Sequence, residues 1–154
     1  MRIQYDICSN FKNYEYVTEP KVLINICDAD EYDVTDSNEF YNRFYAKTKD
    51  DFNNPAYKHK LGSNAYINIY SYHIICNMFC VVWPKTQLNI KPFKYPFFKA
   101  CCRNLKDYML KNNIKNIISP PFGLEILEGK WKDIFIIMNG IFPNDFVYTI
   151  IKSN

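Results

Sequence analysis

Dense apolar runs alternate along the chain with amphipathic stretches. The opening Met1-Arg-Ile-Gln-Tyr-Asp-Ile-Cys8 alternates apolar with polar, the two-residue period of a half-buried strand, and Val22-Leu-Ile-Asn-Ile-Cys27 is the denser run of an interior strand. Between Ser37 and Lys47, Phe40, Tyr41 and Phe44 recur at helical spacing, which predicts a short amphipathic helix with Asp36 as its cap. A polar segment then leads to Gly62. From Ala65 to Val82 two strands fit around a turn near Tyr70 and Ser71. Tyr95 to Lys111 reads as a helix with Phe98, Cys102, Leu105 and Met109 on one stripe, and the rings of Pro92 and Pro96 suit its entrance. Asn116 to Ser119 is a short strand ended by Pro120-Pro121. Lys130 to Ile141 carries Trp131, Ile134, Ile137 and Met138 at helical spacing, and Phe146 to Ile151 closes with a strand.

Strands followed by helices, ending strand-helix-strand, imply an α/β fold whose mixed sheet is covered on both faces. Such sheets bind ligands in the crevice beyond the carboxyl ends of their strands. Here that directs attention to the loops after Cys27 and after Ser119.

With 154 residues, 48% of them hydrophobic and 18% aromatic, the chain has material for one well-filled core, and a single domain over 1–154 is expected. Four glycines and eight prolines exclude collagen-like and linker-like chains. Nineteen basic against sixteen acidic side chains leave a formal charge of +3, too small to select a polyanion as partner. Phe93, Tyr95, Phe97 and Phe98 lie among lysines and Arg103, but helical spacing turns several of these rings inward, so nucleic acid is not an expected partner. The bias toward Asn, Ile, Lys, Tyr and Phe fits an AT-rich coding genome, viral, bacteriophage or low-GC bacterial.

The six cysteines sit inside apolar runs without a regular framework or an opening secretory signal, and are expected to be reduced core residues. The longest apolar run, Ala65 to Trp83, is interrupted by Asn68, Ser71, His73 and Asn77, which suits a turn better than a bilayer crossing. The expectation is a cytoplasmic protein, in the host cytoplasm if viral, with no membrane partner. Asp28 to Glu39 echoes a calcium loop, yet Tyr32 and Asp33 occupy the fifth place and the glycine place. His59 is isolated, and His73, Cys76 and Cys80 lack zinc-type spacing. Neither a metal nor a cofactor is expected. Cys101-Cys102 lies mid-helix without a histidine to activate a thiolate.

The segment Leu110 to Trp131 contains Asn116-Ile-Ile-Ser-Pro-Pro-Phe-Gly-Leu-Glu-Ile-Leu-Glu-Gly-Lys-Trp131, with Pro120, Gly123 and Trp131 at fixed spacing. Together with Ile3 to Phe11, Asn25-Ile-Cys-Asp28 and Val147-Tyr-Thr149, it resembles the macro domain family. The resemblance spans nearly the whole chain. It is nearest to the branch of small single-domain ADP-ribose glycohydrolases and ADP-ribose-1''-phosphate-processing proteins. It implies a three-layer α/β/α sandwich with a mixed sheet of about six strands. The departures fall on ligand-handling positions. Cys8-Ser9 stands where the family has Gly-Asp, the glycine-rich first loop becomes Tyr32-Asp-Val-Thr-Asp-Ser37, and the second loop keeps Gly123 but has Glu125 at its second glycine.

What the resemblance implies for function centres on an ADP-ribose-like nucleotide or an ADP-ribosylated molecule. Ser9, Asn25, Asp28, Thr35 and Pro120 would line the pocket, Asp28 holding ribose hydroxyls. Phe122 and Gly123 would border the phosphates, and Tyr148 would stack on the base. Non-catalytic binding is the leading reading, in a viral setting sequestration of a nucleotide immune signal. The competing reading is an ADP-ribose-derivative glycohydrolase or phosphatase. It would use Lys85, which aligns with the family's lysine after one gap (Thr86 without it), and Glu125 or Glu128 as the acid. A third is a domain that has lost its pocket and meets a protein partner through its acidic 28–36 loop.

Overall fold

The computed structural model describes residues 1–7, 19–56, 58–70, 72–83, 92–124 and 127–152. In chain order the elements are β1 (Arg2–Ile7), β2 (Lys21–Asp28), α1 (Asp36–Phe44), α2 (Ala46–Phe52), β3 (Asn64–Tyr70), β4 (His73–Val81), α3 (Tyr95–Lys111), β5 (Asn116–Ser119), α4 (Trp131–Ile141) and β6 (Val147–Lys152). Six strands form one sheet in the order β1-β6-β5-β2-β4-β3. All neighbours run parallel except the edge pair β3 and β4. This is the expected mixed sheet.

Two local readings change. The cap of α1 is Thr35 rather than Asp36: the Thr35 hydroxyl accepts from the Asn38 backbone N–H while the Asn38 side chain accepts from the Thr35 N–H, a reciprocal capping box. Asp36 becomes the first helical residue, where its charge suits the positive helix end. The stretch expected to be polar connection contains α2, which buries only Thr48 and Phe52. Seven residues with two inward side chains make a stripe too sparse for periodicity to register.

Alternation along β2 and β4 divides the core. Val22, Ile24 and Ile26, with Cys76, Met78 and Cys80, face α3 and α4 and join Phe98, Cys101, Cys102, Leu105 and Met109 in one large cluster. On the other face Leu23 and Ile75 meet Tyr41 and Tyr45, while Cys27 and Phe79 meet Phe52. The five described cysteines are all buried and unpaired, as expected of core residues. Burial pushes the Cys101 thiol up to about 12 and those of Cys27, Cys76, Cys80 and Cys102 in the same direction. Among the described residues no helix is long and apolar enough to cross a membrane.

Candidate functional site in the crevice beyond β2 and β5

Between the two apolar groups on the α1 face lies a polar seam. Asn25 and Asn77 are register partners on adjacent parallel strands and both are buried. Asn25 Nδ2 donates to Asn77 Oδ1 (2.9 Å), and Asn25 Oδ1 accepts from Ser37 Oγ (3.1 Å) and Asn38 Nδ2 (2.8 Å). The Ile26 N–H donates to Ser37 Oγ (3.1 Å), and Thr35 Oγ1 donates to the Ile26 carbonyl (2.8 Å). These bonds fasten the start of α1 to the carboxyl half of β2. Buried amides and hydroxyls are tolerated there because they satisfy one another.

The Asp28 carboxylate is turned inward and is 6% exposed. One oxygen accepts from the backbone N–H groups of Asp30 (2.8 Å) and Glu31 (3.1 Å), and the other from that of Trp83 (2.7 Å). It ties the loop after β2 to the end of β4, and in this conformation presents no open face to a ribose. Tyr32 is half-buried over the same strand end, its ring 5.1 Å from that of Phe52 and its hydroxyl 3.4 Å from Asn25 Nδ2. Burial, aided by the nearby Cys27, pushes this phenol well above its ordinary value. Asp33, at φ 65°, is ion-paired to Lys49 and accepts from Asn42 Nδ2.

Asp36 faces the second loop. Gly123 has φ +68°, and a Cβ placed on it would lie 2.5 Å from Asp36 Oδ2, so only glycine permits the carboxylate to approach this closely. A cavity of about 200 Å³ opens beside this contact, lined by Asp36, Glu39, Phe40, Arg43, Pro120 and Pro121. Arg43 is paired with Glu39 at 3.0 Å.

The remaining expected site residues are distributed differently. Phe122 is fully buried and stacks on Trp131, ring centres 5.1 Å apart, so it supports the loop from beneath. Tyr148 is also fully buried: its hydroxyl bonds that of Ser119, and burial pushes its phenol well up. In this conformation it is a core side chain without a free face for a base, because its position on β6 points toward α3 and α4. Pro120 is buried at the end of β5, and Glu128 is exposed at φ 55° in the turn that follows Gly123. Ser9, Lys85 and Glu125 lie outside the described residues. The structure thus sets Pro120 at the cavity beside the Asp36–Gly123 contact, seals Asn25 and Thr35 in the buried seam, and directs Asp28, Phe122 and Tyr148 into the protein.

Sequence reasoning missed Ser37, Asn38 and Asn77 as members of the seam. A signal for Asn77 existed: one asparagine interrupts each of two apolar runs, in Leu23-Ile-Asn-Ile-Cys27 and in Ile75-Cys-Asn-Met-Phe79, at the same phase of the alternation. Among the described residues no group of three or more His, Cys, Asp or Glu side chains gathers as metal ligands.

Neither a protein-family model nor a curated protein sequence matches the chain. Solved structures do. A macrodomain protein from Streptomyces coelicolor superimposes with a TM-score of 0.73 at 14% identity, covering 99% of this chain and 100% of its own. The macrodomain of Mycobacterium tuberculosis DarG gives 0.69 at 14% identity, with 99% and 98% coverage. A variant macrodomain of Oceanobacillus iheyensis, solved with ADPR, gives 0.64 at 10% identity, with 97% and 82% coverage. Identities this low carry the architecture alone, and with the strand order and two helical layers described above they establish that this chain has the macrodomain fold.

Proposed function

We propose that the crevice between α1 and the Pro120–Gly123 turn binds an ADP-ribose-like nucleotide without turning it over. The observation that carries this reading is the macrodomain fold over nearly the whole chain, a fold seen with ADPR in the Oceanobacillus iheyensis protein. Two local features support it. The first turn of α1 offers positive helix-end potential beside the cavity, and Gly123 keeps the positive φ that lets a backbone come close to a ligand. Against a diphosphate stands Asp36, whose carboxylate occupies the space beside Gly123 and has to swing aside or be displaced. Pro120 and Gly123 are the expected residues whose placement suits a ligand; Asn25 and Thr35 would act by holding the start of α1, and Tyr148 would need to contribute from another conformation. In a viral or bacteriophage setting such binding would sequester a nucleotide signal in the host cytoplasm.

A second reading is favoured by one observation: Tyr32 and Asp36 cover much of the strand ends, as expected of a domain that has exchanged its ligand for a protein partner. A glycohydrolase using Lys85 with Glu125 or Glu128 is the third. Calorimetry separates them. Heat with ADP-ribose, its cyclic isomers or cyclic dinucleotides supports binding, and silence across the panel defeats it. Removing the like charge with Asp36→Asn should tighten a diphosphate ligand about fivefold, the factor expected from roughly 1 kcal/mol between unit charges about 4 Å apart in a water-like dielectric. Release of ADP-ribose from a modified protein, abolished by Lys85→Ala, would instead establish the enzyme.

A further inference from the structure

A second cavity, of about 320 Å³, lies on the α2 side of the sheet, away from the α1–Pro120 crevice. That volume is at the lower end of the ~300–1,000 Å³ typical of small-molecule pockets. Ala65, Ile67, Asn77 and Phe79 on β3 and β4 form its floor, and Phe52 and His59 form its wall. Asp51, Lys58, Ser63 and Asn64 add polar groups to its lining, and its buried, unpartnered donor belongs to Asn77. This residue is 1% exposed, its Oδ1 is taken by Asn25, and its Nδ2 has no hydrogen-bond partner. A buried amide N–H left unmade is expensive, and native structures seldom keep one without a guest or a water to accept from it.

The walls say what kind of guest fits. The His59 ring stacks on Phe79 (centres 4.4 Å apart, planes at 21°) and on Phe52 (4.5 Å, 27°), while Phe52 and Phe79 are tilted 44° to each other, so the three rings form an aromatic cluster on one side of the cavity. His59 Nε2 lies 2.9 Å from the Phe52 carbonyl, which only accepts, so Nε2 is the donor in this contact. A neighbouring cleft of about 470 Å³ shares Phe52, Lys58 and His59 with the cavity and leads toward Asp30. An aromatic cluster beside a buried donor suits an aromatic ring with an acceptor on its edge.

We propose that this cavity is a second small-molecule site, taking a flat heteroaromatic group of nucleobase size whose ring nitrogen or carbonyl accepts from Asn77 Nδ2. It does not rest on the reading of the crevice. The test is an NMR titration of the isotopically labelled full chain with adenine, uracil and nicotinamide as separate probes. Saturable shifts of the Asn77 side-chain amide and of the Ala65 and Phe79 amides are expected with at least one probe. Ala65→Leu, which fills the floor, should weaken that probe tenfold or more and leave any heat from ADP-ribose at the crevice within twofold. Should this variant not fold, transferred contacts between probe protons and the Ala65 methyl in the unaltered chain decide the matter. The proposal is overturned if no probe moves these signals at millimolar concentration, if the shifts survive Ala65→Leu, or if an ordered water alone occupies Asn77 Nδ2.

Discussion

The two faces of the sheet are built on different principles. Beneath α3 and α4 the alternation delivers Val22, Ile24, Ile26, Cys76, Met78 and Cys80 into an unbroken apolar layer. Beneath α1 and α2 the same two strands deliver Leu23, Asn25 and Cys27, and Ile75, Asn77 and Phe79, so the apolar layer is split by an asparagine pair. The first face holds the domain together by area removed from water. The second gives up part of that gain to orient the start of α1, and both described cavities named above as candidate sites lie on it. The candidate sites and the continuous apolar layer thus lie on opposite faces of the sheet.

The largest expected effect breaks the apolar face through its thiols. Cys76, Cys80 and Cys102 are held neutral by burial, as is Cys101 with its value pushed up to about 12, whereas in the unfolded chain each titrates near 8.5. A raised folded value means that the stabilising contribution is complete below the unfolded value and is lost as pH rises above it. Each thiol then removes about 1.4 kcal/mol per pH unit while the folded form stays protonated. Urea denaturation should therefore show stability constant near pH 7 and falling steeply above about pH 9. Replacing Cys102 with Ala should make that fall shallower by one thiol's share; an unchanged slope would show that this thiol titrates in the folded state.

Next comes Phe98→Ala, which empties a fully buried site on the same face and should cost about 3–5 kcal/mol by chemical denaturation. A loss under 1 kcal/mol would mean that α3 repacks and that the layer is less rigid than it looks. The smallest of the three tests the seam. Asn25→Ala strips partners from Ser37, Asn38 and Asn77 together and should cost about 2–3 kcal/mol, whereas Asn77→Ala breaks one of these bonds and should cost about 1 kcal/mol. Equal losses at the two positions would show that the network is centred elsewhere.

Much of this architecture is legible in the sequence. The α3 and β5 boundaries and the order of the larger elements follow from periodicity, since long apolar stripes and dense runs have one favourable way to be buried. The shorter helix α2 was not readable, with two buried side chains in seven residues. At the crevice, the sequence names the loops after β2 and after β5, which meet through Asp36 and Gly123, but not the direction of their side chains. Asp28 looked like a ligand-facing acid and instead accepts three backbone N–H groups, and Tyr148 looked like a base-stacking ring and instead fills the core. Residue type is the same in either case; the difference is a rotation that depends on which neighbours arrive.

By itself, then, the chain determined its layers, its strands and the two loops that meet at their ends, because hydrophobic spacing is a local property that every conformation of the backbone shares. Only the tertiary structure decided that Asn25 and Asn77 fall in register, that Asp36 rests against Gly123, and that the Asn77 amide N–H is buried without a partner. Those facts depend on segments about fifty to ninety residues apart arriving at one place with a particular alignment, and hydrogen bonds, being short and directional, are made or lost by that alignment alone.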